Sequence, residues 1–143
     1  MKYLLDTHTL LWWVTAPEAL PLSLRGFLDD TSNELLLSVA VPWELAIKTN
    51  AGKLDAHQIL RDIEFGQLEQ DLKVLRVEIS HVIRAGFLPL HHRDPFDRLL
   101  AAQALELGIP VVSRDKIFDL YGVQRIWNLA APDAPPARRG DKF

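Results

Sequence analysis

Three apolar runs too short to be helices punctuate this chain, and each hands over to polar or acidic residues. Lys2 to Leu5 ends at Asp6, Leu35 to Leu37 ends at Ser38, and Ile109 to Ser113 delivers Arg114 and Asp115. An unbroken apolar run of this length reads as a strand covered on both faces, which is the habit of parallel sheets. The stretches between the runs have helical character. Leu10 to Val14 starts a helix that Pro17 stops, Ser23 is placed to cap a second helix over Leu24 to Asp30, and Val39 to Lys48 reads as a strand entering a helix near Pro42. Glu44 then falls in the first turns of that helix, with Gly52 as its natural end. Leu54, Ile59, Ile63, Phe65 and Leu68 suggest a helical hairpin. Leu72 to Val77 holds a short strand, and Glu78 to Ala85 a helix broken by Gly86. Asp97 to Leu107 is the strongest helix, dominated by Ala and Leu and closed by Gly108; Val123 to Trp127 is a last strand. Strand and helix alternating at this spacing predict a parallel α/β sandwich.

The rest of the composition narrows the function. At 143 residues, with 48% hydrophobic and 24% charged residues, the chain is long enough for one domain with a proper core. A formal net charge of -3 removes the case for a polycation that coats nucleic acid, so any such contact is local. With no cysteine, disulfides, thiolate zinc sites and cysteine nucleophiles are excluded. The short apolar start suits neither a signal peptide nor a membrane span, so a cytoplasmic location is expected. Residues 1–129 are expected to form the domain. Residues 130–143, rich in Pro with Arg138 and Arg139, read as a flexible tail able to add affinity for RNA.

In a parallel sheet, groups that act on ligands collect at the C-terminal ends of strands. Asp6, Glu44 and Asp115 fall there, and Asp97 at the head of the Ala-rich helix is directed to the same edge, with Asp94 three residues upstream. Anionic carboxylates in one pocket raise one another's pKa unless a cation joins them, and oxygen donors suit Mg2+ or Mn2+. Phosphodiester hydrolysis is the candidate reaction for such a site. Against this stands the ordinary use of Asp as a helix cap or turn residue.

The segments Leu4-Leu5-Asp6-Thr7-His8, Ser38 to Glu44, Asp94-Pro95-Phe96-Asp97-Arg98-Leu99-Leu100-Ala101-Ala102-Gln103-Ala104 and Val111-Val112-Ser113-Arg114-Asp115 together resemble the PIN-domain ribonucleases. They are most similar to the VapC-type toxins of bacterial toxin–antitoxin pairs, over roughly residues 1 to 128. The resemblance implies a three-layer sandwich, a central mainly parallel sheet flanked by helices. It implies a Mg2+- or Mn2+-dependent endoribonuclease acting on tRNA or another structured RNA. Asp6, Glu44, Asp97 and Asp115 match the family's acidic positions and are the expected catalytic and metal-holding residues. Thr7 and Ser113 are implied as supporting hydroxyls; Asp94 and Asp119 lie near enough to the third and fourth positions to be confused with them, and Asp94 is equally placed to hold its loop or pair with Arg98. A homodimer and an inhibitory antitoxin are the implied partners.

Cations near the acidic positions in sequence are Lys48, Arg93, Arg98, Arg114 and Lys116, and Arg93, Arg114 and Lys116 are expected to touch RNA phosphates. For Lys48, a helix salt bridge to Glu44 is the competing account. His91 and His92 read as a polar loop approaching the site. Trp12, Trp13, Phe27 and Trp43 are expected in the core by default, with some of them able to line a groove or a self-association face, and no interleaving of aromatic and basic residues for base stacking is visible along the chain. The lack of a Gly-rich phosphate loop argues against nucleotide or other organic cofactors. His8, two positions after Asp6, stands where a haloacid-dehalogenase-like phosphatase needs its second Asp. A catalytically silent PIN-like module and a DNA nuclease are the alternative readings.

Overall fold

A computed structural model describes residues 1–129; the expected tail over 130–143 and its Arg138 and Arg139 lie outside the described residues. Five strands, β1 (Lys2–Leu5), β2 (Glu34–Ser38), β3 (Lys73–Leu75), β4 (Val111–Val112) and β5 (Arg125–Ile126), form one sheet in the order β3-β2-β1-β4-β5. Every pairing is parallel, with Leu4 opposite Leu36 on one side and opposite Val111 on the other. Seven α-helices cover it: α1 (Thr7–Thr15), α2 (Leu22–Asp29), α3 (Ala40–Asn50), α4 (His57–Glu64), α5 (Ile79–Phe87), α6 (Pro95–Leu107) and α7 (Ile117–Leu120). Leu4, Leu36 and Val111 pack with Val41, Leu45, Ile59, Leu100 and Ala104 in one apolar layer. Leu5, Leu35 and Val112 pack with Trp13, Leu24 and Leu28 in the other. The result is the three-layer α/β sandwich expected, with the central strands buried on both faces. No helix among the described residues is long and apolar enough to cross a membrane.

Several local expectations are corrected. Ser23 does not cap α2: the helix begins at Leu22 with Pro21 before it and no side-chain cap. The strand expected to run past Val39 stops at Ser38, and α3 starts at Ala40. Pro42 therefore sits in the first turn, where its missing N–H has no intrahelical acceptor to lose. The anticipated hairpin is the single helix α4, and Phe65 is already past its end. Gly86 lies inside α5 rather than ending it. A 3-10 turn over Pro17–Ala19 and the helix α7 were not foreseen. Helix α6 starts at Pro95 because Asp94 caps it, accepting from the N–H groups of Phe96 at 2.8 Å and Asp97 at 3.3 Å. It closes on Gly108, whose φ of 65° is left-handed and favours glycine.

Candidate active site

Acidic residues gather at the carboxyl edge because each parallel strand hands over there to a helix or turn. Asp6 follows β1 at once and caps α1, its Oδ1 accepting from the Thr9 N–H at 2.8 Å. Its Oδ2 accepts from the hydroxyl of Ser113, which comes off the neighbouring strand β4. A second tie between the same elements runs from the Thr9 hydroxyl to the Val112 carbonyl at 2.9 Å. Asp6 is buried, and burial pushes its carboxyl above the ordinary carboxylate value despite the hydrogen bonds from Ser113 and Thr9.

Glu44, in the second turn of α3, is only 3% exposed. Both of its oxygens are engaged: Oε1 takes the Thr7 hydroxyl at 2.6 Å and Oε2 takes Lys48 Nζ at 2.6 Å. The competing account of Lys48 is therefore the observed one. That hydrogen bond to Glu44 holds the Lys48 ammonium above its ordinary value, with Asp94 and Asp97 adding to the effect.

Asp97 occupies the first turn of α6, and its Oδ2 meets His92 Nε2 at 2.9 Å. Its carboxyl is pushed up to about 6, first by burial and then by Asp94; the His92 hydrogen bond opposes this, and Glu44 and Asp6 add to it. The structure thus brings Asp6, Glu44 and Asp97 into one electrostatic neighbourhood.

Asp115 is placed differently. It is exposed, its N–H donates to Ser113 Oγ and its Oδ1 accepts from the Ile117 N–H, each at 2.9 Å. It lines an open cleft with Asp6, His8, Trp12, Arg114 and Lys116. Asp119 does not share this cleft and pairs with Arg125 at 3.0 Å.

Among the described residues, the three-residue cluster whose ligand atoms all lie within 4.8 Å of one another is His92, Asp94 and Asp97, a set capable of coordinating a divalent metal ion. Asp6, Glu44 and Asp115 are not part of that cluster, and the carboxylates of Asp6 and Glu44 accept from hydroxyl, amide and ammonium donors of the chain. The donor set fits a divalent ion such as Mg2+ or Mn2+: two of its three donors are carboxylates, and Asp97, raised first by burial and then by Asp94, would be relieved by a cation. His92 carries more of this site than its sequence neighbourhood signalled, where it was only part of a loop.

Arg98 and Trp43 depart from expectation. Instead of pairing with Asp94 or facing substrate, the Arg98 guanidinium is buried. It donates to the carbonyls of Ala85 at 2.8 Å, Leu88 at 2.9 Å and Pro89 at 2.9 Å, and more distantly to that of His92 at 3.3 Å. It is the anchor of the segment that carries His92. Trp43, expected in the core, is 62% exposed against the edge of Phe96; Trp13 is buried, and Trp12 and Phe27 are half-buried. Arg93 is exposed on the loop beside His92.

The fold and site define a parallel α/β sandwich with acidic residues at its carboxyl edge, beside a cluster capable of coordinating a divalent ion. The chain belongs to the PIN-domain family, whose model matches residues 3–123. None of the curated proteins matches it. Among solved structures, it is similar to VapBC2 from Rickettsia felis, bound to a DNA fragment from their promoter. The TM-score is 0.66 at 16% identity, over 90% of this chain and 100% of that one. VapBC-1 from nontypeable Haemophilus influenzae follows at a TM-score of 0.61 and 22% identity, over 88% and 97%. FitAcB from Neisseria gonorrhoeae has a TM-score of 0.54 at 16% identity, over 88% and 96%. At these identities the likeness is one of fold.

Proposed function

We propose that this chain is a Mg2+- or Mn2+-dependent endoribonuclease that hydrolyses phosphodiester bonds in tRNA or another structured RNA, and that a cognate antitoxin inhibits it. The observation that carries the reading is geometric: at the carboxyl edge of a parallel sheet, Asp97 shares with Asp94 and His92 a cluster whose ligand atoms lie within 4.8 Å of one another, with Asp6 and Glu44 close enough to act on its carboxyl. Asp6, Glu44, Asp97 and Asp115 would hold the ion, directly or through water, with Asp94 and His92 in support. An ion held there would supply Lewis acidity for a water and for the oxygens of a phosphodiester.

The chain's own residues do the rest. Ser113 and Thr9 fix the two oxygens of Asp6, Thr7 and Lys48 fix those of Glu44, and His92 holds one oxygen of Asp97. Arg93, Arg114 and Lys116 contact phosphates of the RNA. The solved structures of this fold bear the paired names VapBC and FitAB, which supports a partner protein for this chain. Exposed Ile79, Val82, Ile83 and Phe87 on α5 support a homodimer.

The test is cleavage of a total-tRNA pool by purified protein with Mg2+ or Mn2+, beside matched EDTA and Asp97→Asn reactions. Discrete products that vanish in both controls are expected. Persistent cleavage in EDTA refutes the metal-dependent mechanism, and a folded, metal-loaded protein that leaves RNA intact gives way to the silent module or the DNA nuclease.

A further inference from the structure

A groove beside the acidic cleft is basic and aromatic, with a volume of about 780 Å³, and it is lined by Leu20, Pro21, Arg114, Lys116, Arg125 and Trp127. Arg114 and Lys116 also line the cleft of Asp6 and Asp115, so the two spaces adjoin. Trp12 on the cleft side and Trp127 on the groove side touch, with ring centroids 5.8 Å apart; both are half-buried, packed on the apolar layer of Leu5, Trp13 and Val112, and each leaves part of its surface to the space it lines. Arg125 is held in the wall by Asp119 and the Ser113 carbonyl. Arg114 and Lys116 have no ion-pair partner among the described residues.

We infer that this groove seats a single-stranded stretch of the RNA next to the bond that is cut, with phosphates on Arg114 and Lys116 and an unpaired base stacked on Trp127. The inference rests on the nuclease reading for its choice of RNA. A polyanion approaches an acidic cleft where cations flank it, and Arg114 and Lys116 flank Asp115 on both sides. An aromatic face at the wall of a basic groove favours a splayed base over a paired one, since a base within a duplex offers no free face to stack. The interleaving of cations and aromatic rings that the chain lacks in sequence is assembled in space from α1, the turn after β4 and the segment after β5.

The test is binding of a short fluorescein-labelled single-stranded RNA by the Asp97→Asn protein, in Mg2+ and in EDTA, with a blunt RNA duplex and a matching DNA strand alongside. The Arg114→Gln/Lys116→Gln double variant is expected to flatten the dependence of log K on log salt by about 1.4, at roughly 0.7 for each phosphate contact on a single strand. Trp127→Leu is expected to weaken binding about tenfold, and Trp127→Phe, which keeps a ring, to restore most of it. Circular dichroism checks that each variant folds. An unchanged salt slope, equal loss in Trp127→Leu and Trp127→Phe, or a preference for duplex or DNA overturns the inference. A chain that cleaves RNA with an unchanged slope loses the groove alone; one that binds through the groove and never cleaves loses the nuclease reading alone.

Discussion

Replacing Asp97 by Asn should make the metal-free protein more stable at neutral pH while it disables the site. A folded-state carboxyl at about 6 against an ordinary 3.8 binds its proton more tightly when folded, so its favourable contribution is complete below 3.8 and is lost as pH rises through about 6. The difference between those values corresponds to on the order of 3 kcal/mol. This is a ceiling, because the side chain is 21% exposed and water screens part of the repulsion. Asn removes the charge and keeps the shape, but weakens the hydrogen bond with His92 by about 1 kcal/mol. The net gain near pH 7.5 is therefore at most about 2 kcal/mol, or up to about 6–8 °C in Tm for a domain of this size. At about pH 4 the gain should vanish and change sign, because the wild-type carboxyl is then protonated when folded. Asp6 shifts in the same direction, and its contribution is common to both proteins. Thermal unfolding followed by circular dichroism in EDTA across this pH range reads the difference directly. A variant less stable than wild type at neutral pH, or a difference that stays constant with pH, refutes the electrostatic reading of this carboxyl.

Adding Mn2+ near neutral pH should raise the Tm of the wild-type protein and leave Asp97→Asn nearly unmoved, measured by the same unfolding curves; equal shifts in both would place the ion elsewhere. Arg98→Met should cost about 3 kcal/mol or more in urea unfolding, because the carbonyls of Ala85, Leu88 and Pro89 lose a shared buried donor. Thr7→Val, which removes the hydroxyl from Glu44 Oε1, should cost about 1–3 kcal/mol and lower Mn2+ affinity in titration calorimetry. Gly108→Ala forces a side chain into left-handed backbone, and a Tm lowered by the equivalent of about 1–2 kcal/mol is expected.

The architecture was legible because β1, β2 and β4 are buried on both faces, and burial of that kind writes itself as unbroken apolar runs. The helix of Ala and Leu ending at Gly108 was legible for local reasons of propensity and capping. The edges were harder: β3 and β5 are short, and Val74 stays exposed, so packing leaves only a faint trace in sequence. At the site, the gathering of Asp6, Glu44 and Asp97 followed from strand order and short connections. What sequence did not show is how charge is apportioned among them. The Lys48–Glu44 pair was offered by its i,i+4 spacing, whereas Arg98 turning inward to carbonyls and His92 reaching Asp97 depend on rotamers and on a loop brought near by the fold. Trp43 stayed outside because α3 buries Ala40, Val41, Glu44 and Leu45, and at 3.6 residues per turn position 43 falls on the other side of the helix from that stripe.

The hydroxyl that satisfies Asp6 belongs to a residue 107 positions later in the chain. The middle strand of the sheet is therefore made first and finished last: β1 lacks its β4 neighbour until Val111 and Val112 have been synthesised, and Asp6 lacks one of its donors until Ser113 follows. Contacts of such long sequence separation form late and slowly compared with helices such as α6. A chain released early, before β4, keeps most of its helical sequence and lacks the strand that sets Asp6 and Asp115 side by side. Completion of the acidic cleft is thereby tied to completion of the domain, so that a partial product of synthesis carries the acidic residues without their arrangement.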